Sequence, residues 1–247
     1  MQNSEISSVG ELVSQIRNVR QEKQKVPWFR GQANEGWGLM PGLLRSKAGV
    51  SEATLITRFK QSAAMLADHV PTDSFGWIFL MQHYGVPTRL LDWSENPLVA
   101  AYFAVENLEE HPDQDAALWM LFPSELNKHA NIVDKFEQEY VPSFDDEELQ
   151  GYSAESLRNQ RVELNPIATI ATRNNARIQA QLGTFTIHHN KSVPIEKVGD
   201  GEHAIKLVIP KEARGPLLEE LKLLGVNRFS LFPELSSVGQ VLKEMVQ

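Results

Sequence analysis

The segment Trp28-Phe29-Arg30-Gly31-Gln32 sets one guanidinium between an aromatic ring and a glycine, directly after Pro27. Such an arginine either ties neighbouring backbone together or grips an anion through its rigid fork of donors. Gly31 permits the close approach of a ligand or another backbone. On a strand Trp28, Arg30 and Gln32 share one face, so an indole wall and a cation are expected to point into the same cleft. A second dense stretch, Gln82 to Asn96, carries His83, Tyr84, Thr88, Arg89, Asp92, Trp93, Ser94 and Asn96 between two apolar runs. That many polar groups must pair with one another or face a cavity. Taken singly they make a structural set: an Arg89–Asp92 ion pair, Ser94 and Asn96 as helix caps, and His83 bonded to backbone. Taken with the Arg30 segment they make a ligand cleft, where a helix starting at Asn96 offers free N–H groups and a positive dipole end to an anion. In a third stretch, Arg177 to His189, a strand reading puts Arg177, Gln179 and Gln181 on one face, with Gly183 allowing a bulge or close approach.

The elements that must position these groups follow from periodicity. Ser8 and Glu11 have capping-box spacing, and Val9, Leu12, Val13 and Ile16 continue at helical spacing over about 8–19. Trp28–Gly31 reads as a short strand, Gly36–Arg45 as a glycine-punctuated loop, and 51–68 as a helix with Leu55, Ile56, Phe59, Ala63 and Leu66 on one face. Ser74–Tyr84 is apolar all round, which marks a buried helix, and Gly85 and Pro87 end it. Asn96 and Pro97 suit the N-cap and first position of the next helix. Ala116–Phe122 and His203–Pro210 read as strands, as do 168–172 and 177–189. A helix stopped by Gly225 and a C-terminal helix complete the chain. Residues 123–163 look like a helical insertion or flanking subdomain in one α+β domain spanning 1–247.

Totals exclude several functions. With no cysteine among 247 residues, disulfides, thiolate metal sites and cysteine nucleophiles are absent. The paired His188 and His189 point to opposite sides of a strand, and no other histidines stand at ligand spacing, so no metal is expected. No phosphate-cradling glycine loop, dinucleotide fingerprint or serine-hydrolase elbow occurs. The net charge of −8 disfavours generic nucleic-acid binding. It leaves room for a local cationic cleft built from Arg30, Arg45, Arg89, Arg173 and Arg177. The first residues lack signal-peptide character and no apolar run is long enough to span a membrane, so a soluble cytoplasmic protein without membrane partners is expected.

Four blocks together resemble the FRG domain family: Trp28–Gln32 with Gly38–Arg45, Met81–Ala104, Arg177–His188 and Leu224–Leu242. The motif order is in turn similar to that of ADP-ribosyltransferases. This implies mixed and antiparallel sheets with flanking helices, with NAD as substrate or ligand and no metal. Its counterparts for the catalytic positions are Arg30, Ser94 and either Gln181 or Glu234. Trp28, Gly31, Gln32, His83, Tyr84, Arg89, Asp92, Trp93, Asn96 and Arg177 are the expected ligand contacts. The resemblance also implies transfer of ADP-ribose to a protein or nucleic-acid target, or NAD hydrolysis, in bacterial defence or as a toxin. The alternatives are a non-catalytic nucleotide sensor or interaction module and, further off, a nucleic-acid-directed enzyme. The acidic element of the transferases is replaced in the third block by Gln179-Ala180-Gln181, where Gln181 could orient ribose without supplying charge, and Glu234 could supply the carboxylate from another element.

Overall fold

The computed structural model describes residues 4–63, 65–67, 70–134, 136, 139–159, 162–172, 175–244 and 246. Arg173 and the expected helix end at residue 68 lie outside them. Along the chain run β1 (Ser4–Glu5), α1 (Val9–Lys23), β2 (Trp28–Gln32), α2 (Gly42–Arg45), α3 (Glu52–Ala63), α4 (Ser74–His83), β3 (Leu90–Ser94) and α5 (Pro97–Val105). Then come β4 (Ala116–Leu121), α6 (Pro123–Lys128), α7 (Ala154–Asn159), β5 (Ile167–Thr169), α8 (Ala176–Gln181), β6 (Gly183–Ile187), β7 (Ala204–Ile209), α9 (Lys211–Leu223), α10 (Arg228–Leu231) and α11 (Leu235–Glu244). The strands form one mixed sheet in the order β1-β7-β4-β2-β3-β6-β5, parallel only between β1 and β7. This is an α+β fold. No helix among the described residues is long and apolar enough to cross a membrane.

Local signals place the helices as their sequences require. Ser8 caps α1 by accepting from the Glu11 amide at 3.2 Å, while the Glu11 carboxylate takes the amide of Ser7 rather than that of Ser8. Asn96 caps α5 with Pro97 behind it, and Gly85 and Gly225 follow α4 and α9 with φ of 74° and 80°. Leu66, expected on the apolar face of α3, lies beyond the helix end and is 84% exposed. The segment expected to be an insertion supplies Leu126, Phe144, Leu149 and Tyr152 to the same cores as the sheet. The largest departure is at 177–181, which is helix α8 and not strand. Asn175 caps it by accepting from Ile178 N at 2.8 Å, and Leu182 ends it in the left-handed region at φ 45°. A short polar segment with such a cap closes a helical turn before strand pairing begins at Gly183.

Three apolar clusters divide the sheet's faces. One, under α5 and α9, contains Phe29, Leu118, Met120 and Leu207. A second, under α4, contains Leu90, Phe185 and Ile187. The third holds Trp28, Trp93 and Trp119 on the opposite face. Between the first two, β2 and β3 pair only at Phe29 and Ser94, so the sheet parts there. Helix α5 lies directly on β2: a Cβ on Gly31 would stand 1.9 Å from the Ala100 carbonyl oxygen and 2.5 Å from Ala104 N. No side chain fits that contact, which explains Gly31 and the small residues of α5 together.

Two stability predictions follow from this packing. Gly31→Ala must push α5 off the strand, and a loss of about 3 kcal/mol or more, or failure to fold, is expected in urea denaturation. Burial pushes the His188 imidazole down to about 4 from 6.5. The unfolded chain therefore takes up this proton below about pH 6.5 and the folded chain only near pH 4. Stability should be full above pH 6.5, fall by about 3 kcal/mol on acidification through that window, and level off below it. The same slope in His188→Gln would show that another group is responsible.

Candidate functional site

A cleft of about 300 Å³ opens where β2 and β3 part. Its floor is β2 from Phe29 to Gln32, together with Asp92, Trp93 and Ser94 of β3. One side is formed by Arg177 and Gln181 of α8, the other by Trp37, Asn107, Glu110 and His111, and Arg45 at the end of α2 also lines it.

Arg30 spans the parting of the strands. Its NH1 donates to the Asp92 carbonyl oxygen at 2.7 Å, where a continued ladder would have offered a β2 amide. Its Nε is buried without an acceptor, and the side chain makes no other hydrogen bond among the described residues. Burial holds its pKa below the usual arginine value; the nearby Asp92 carboxylate offsets this and Arg45 adds to it. It remains a cation at neutral pH.

The polar connection before α5 is a relay. Asp92 Oδ2 accepts from Gln82 Nε2 at 2.8 Å, Gln82 Oε1 accepts from the Thr88 hydroxyl at 2.6 Å, and Thr88 Oγ1 accepts from Leu90 N at 3.0 Å. The expected Arg89–Asp92 pair is absent. Arg89, 3% exposed, instead donates from Nε to Glu52 at 2.8 Å, from NH1 to the His188 carbonyl at 2.6 Å and from NH2 to the Tyr152 carbonyl at 2.9 Å. Alternation along β3 separates positions 89 and 92, so Arg89 belongs to the buried frame and Asp92 to the cleft.

The other expected site residues divide in the same way. Ser94 lines the cleft, but its hydroxyl donates to the Gln181 carbonyl at 2.6 Å and accepts from Asn96 N at 2.9 Å. Gln181 lines the cleft and donates to the Leu231 carbonyl at 3.1 Å. Arg177 lies 4.7 Å over the Phe232 ring and donates to the His83 carbonyl at 3.1 Å. Helix and strand periods agree at a spacing of four, which is why Arg177 and Gln181 reach the cleft together while Gln179 is exposed. Gln32 and Trp93 border the cleft with their polar atoms spent, since Gln32 accepts from Trp119 Nε1 at 2.9 Å and Trp93 donates to Thr186 at 3.0 Å. Trp28 shares β2's face with Arg30 but is buried in the tryptophan cluster. His83, Tyr84 and Asn96 stand outside the lining, with Asn96 spent on its cap and Tyr84 68% exposed. Glu234 is exposed before α11, accepts from the Ser236 hydroxyl and is not among the residues that line the cleft.

The wall that sequence spacing did not reveal is the loop after α5. Glu110 and His111 fall in an acidic run that reads as a solvated loop. The loop is fixed by Arg214 of α9, 1% exposed, which donates to the carbonyls of His111, Gln114 (3.1 Å) and Asn107 (3.2 Å). Trp37 packs edge-on against His111, with ring centroids 5.1 Å apart. The guanidinium of Arg45 has no hydrogen bond or ion pair among the described residues. Three arginines and two carboxylates thus line one cleft, a local positive balance in a chain of charge −8.

Residues 25–113 match the FRG domain model. The chain contains an FRG domain. Neither a search of curated proteins nor one of solved structures gives a match. The match spans β2, the relay, α5 and the Glu110–His111 loop, so the FRG domain supplies most of the cleft, while Arg177 and Gln181 come from outside the matched residues.

The two kinds of arginine predict opposite phenotypes. Arg89→Ala strands buried Glu52 and should cost about 3–5 kcal/mol in urea denaturation. Arg45→Ala should leave stability within about 0.5 kcal/mol. Comparable losses for both would show that Arg45 too belongs to the buried frame.

Proposed function

We propose that the FRG-domain cleft binds NAD or a related nucleotide through its phosphates. The observation that carries this reading is the convergence of Arg30, Arg45 and Arg177, with Arg45 unpaired and Arg30 Nε lacking an acceptor among the described residues. Guanidinium forks suit phosphate oxygens. Trp37, Phe103 and His111 offer flat surfaces beside them for a base or nicotinamide ring. A volume of about 300 Å³ fits a pyrophosphate with one nucleoside half, the other half extending to solvent.

In the transferase reading, the bond from ribose C1′ to the nicotinamide nitrogen breaks and nicotinamide leaves with the electron pair. Water or a side chain of a macromolecular target then bonds to C1′ and loses its proton. A carboxylate stabilises the oxocarbenium-like transition state. Glu110 takes that part here, because it lines the cleft and Glu234 does not. Arg30 holds the pyrophosphate, and Ser94 and Gln181 shape the cleft rather than react. A specific observation favours a second reading, nucleotide sensing without turnover: the Ser94 hydroxyl and the Gln181 amide are both already engaged by protein partners. The setting in bacterial defence or as a toxin rests on the family resemblance alone.

One experiment separates these readings. NAD is added to the purified protein while nicotinamide release and thermal shift are followed, with and without lysate as a source of targets. Release by wild type that falls at least about 100-fold in Glu110→Gln supports the enzyme. A thermal shift without release supports the sensor. Arg45→Ala should weaken nucleotide binding by about 10-fold or more, the effect of losing one charged hydrogen bond. An absent shift with wild type, or equal affinity in Arg45→Ala, would remove the nucleotide reading.

A further inference from the structure

A second group of side chains meets at the far end of β4. His129 caps the C-terminus of α6, Asp200 sits in the turn between Gly199 and Gly201, and His203 immediately precedes β7. One ligand-type atom from each lies within 4.8 Å of the other two. His129 Nε2 is 3.6 Å from Asp200 Oδ1. A tetrahedral ion with bonds of about 2.0–2.1 Å holds its ligand atoms about 3.4 Å apart, so closure needs a contraction of at most about 1.4 Å.

His203 is the informative member. It is 1% exposed, and its Nε2 lies 2.8 Å from the Ile195 carbonyl oxygen. A carbonyl only accepts, so Nε2 carries the proton and Nδ1 presents a lone pair. That Nδ1 is buried and has no hydrogen-bond partner. An imidazole anchored by one N–H on a backbone carbonyl, with its other nitrogen bare, is prepared as a metal ligand. The backbone around it is shaped to match. Gly199 has φ 57°, and a Cβ there would fall 2.2 Å from the His129 ring. Asp200 Oδ1 is steadied by Glu202 N at 3.0 Å. The His129–Asp200 contact alone would leave His203 Nδ1 unexplained. The Asp200 side chain is 62% exposed and that of His129 29%, which leaves a path for an ion from solvent.

We propose that His129, Asp200 and His203 bind a divalent transition-metal ion of the zinc type, with a fourth position open to water. Two imidazole nitrogens and one carboxylate favour such an ion over magnesium or calcium, which prefer oxygen ligands. The ion would clip the end of α6 to the turn that starts β7. It would stand apart from the cleft, because Gln32 pairs with Ala117 while Ala204 pairs with Leu121, about 13 Å further along β4. Linear spacing predicts no metal because residue 129 stands about seventy residues before 200 and 203.

The test uses the full chain, stripped with a chelator, desalted, and titrated with Zn²⁺ and separately with Co²⁺. Expected are one ion per chain, a raised Tm and visible Co²⁺ absorption of four-coordinate intensity. Asp200→Asn, at an exposed position, should weaken affinity more than about 10-fold while the metal-free Tm stays at the wild-type value. His129→Ala should do the same to affinity, and Glu202→Gln should bind as wild type. Absence of stoichiometric binding by wild type, or unchanged affinity in both Asp200→Asn and His129→Ala, would overturn the proposal.

Discussion

The contact between the bare backbone of Gly31 and the turn of α5 at Ala100 and Ala104 sets the rest of the site. A helix normally rides on side chains about 10 Å above a sheet. Here it descends until a single methyl on the strand would collide with its carbonyl. That descent requires alanines along the facing side of the helix and leaves α5 apolar nearly all round, with Val99, Tyr102 and Val105 buried as well. It also fixes the start of the helix against β3, since Asn96 and Ser94 hold the chain where the strand ends. The glycine of the FRG triplet is therefore a packing residue, and its importance is independent of any ligand.

Arg30 follows from the same geometry. β2 and β3 touch at one residue pair and then diverge, leaving the Asp92 carbonyl without a strand amide. The neighbouring guanidinium satisfies it. One donor is spent on the fold while the Nε remains without an acceptor, so the cation is oriented before any ligand arrives. Preorganisation of this kind is what makes a charged group effective at an anion, because no side-chain ordering has to accompany binding. An arginine in this position can hold the fold or a ligand. The geometry supports both, through different nitrogens.

Legibility tracked the range of the interactions. Caps, stops and buried strands were readable because they depend on neighbours within about four residues, as with Asn96 and Pro97 or Gly85. The α8 segment misled because its apolar positions fit either period over so few residues, and the Asn175 cap decided it. Spacing within its own segment pairs Arg89 with Asp92, yet its acid is Glu52, far back in the chain. Glu110 and His111 looked like a solvated run because Arg214, which holds their loop, stands about a hundred residues later. His129, Asp200 and His203 were invisible for the same reason.

Two buried arginines illustrate how differently one side chain can be used. Arg89 neutralises a buried acid and ties three elements; removing its charge leaves another charge stranded. Arg214 meets carbonyl oxygens from Asn107, His111 and Gln114 and has no carboxylate hydrogen-bonded to it among the described residues. A guanidinium surrounded by carbonyl dipoles fixes the path of a loop rather than balancing a charge. The loop it fixes is the one that brings Glu110 and His111 to the lining of the cleft. Glu110 thus reaches the cleft lining through a loop whose position depends on Arg214 of α9. That dependence links the FRG match at 25–113 to a residue beyond it, since Arg214 of α9 holds a loop that lies within the matched segment.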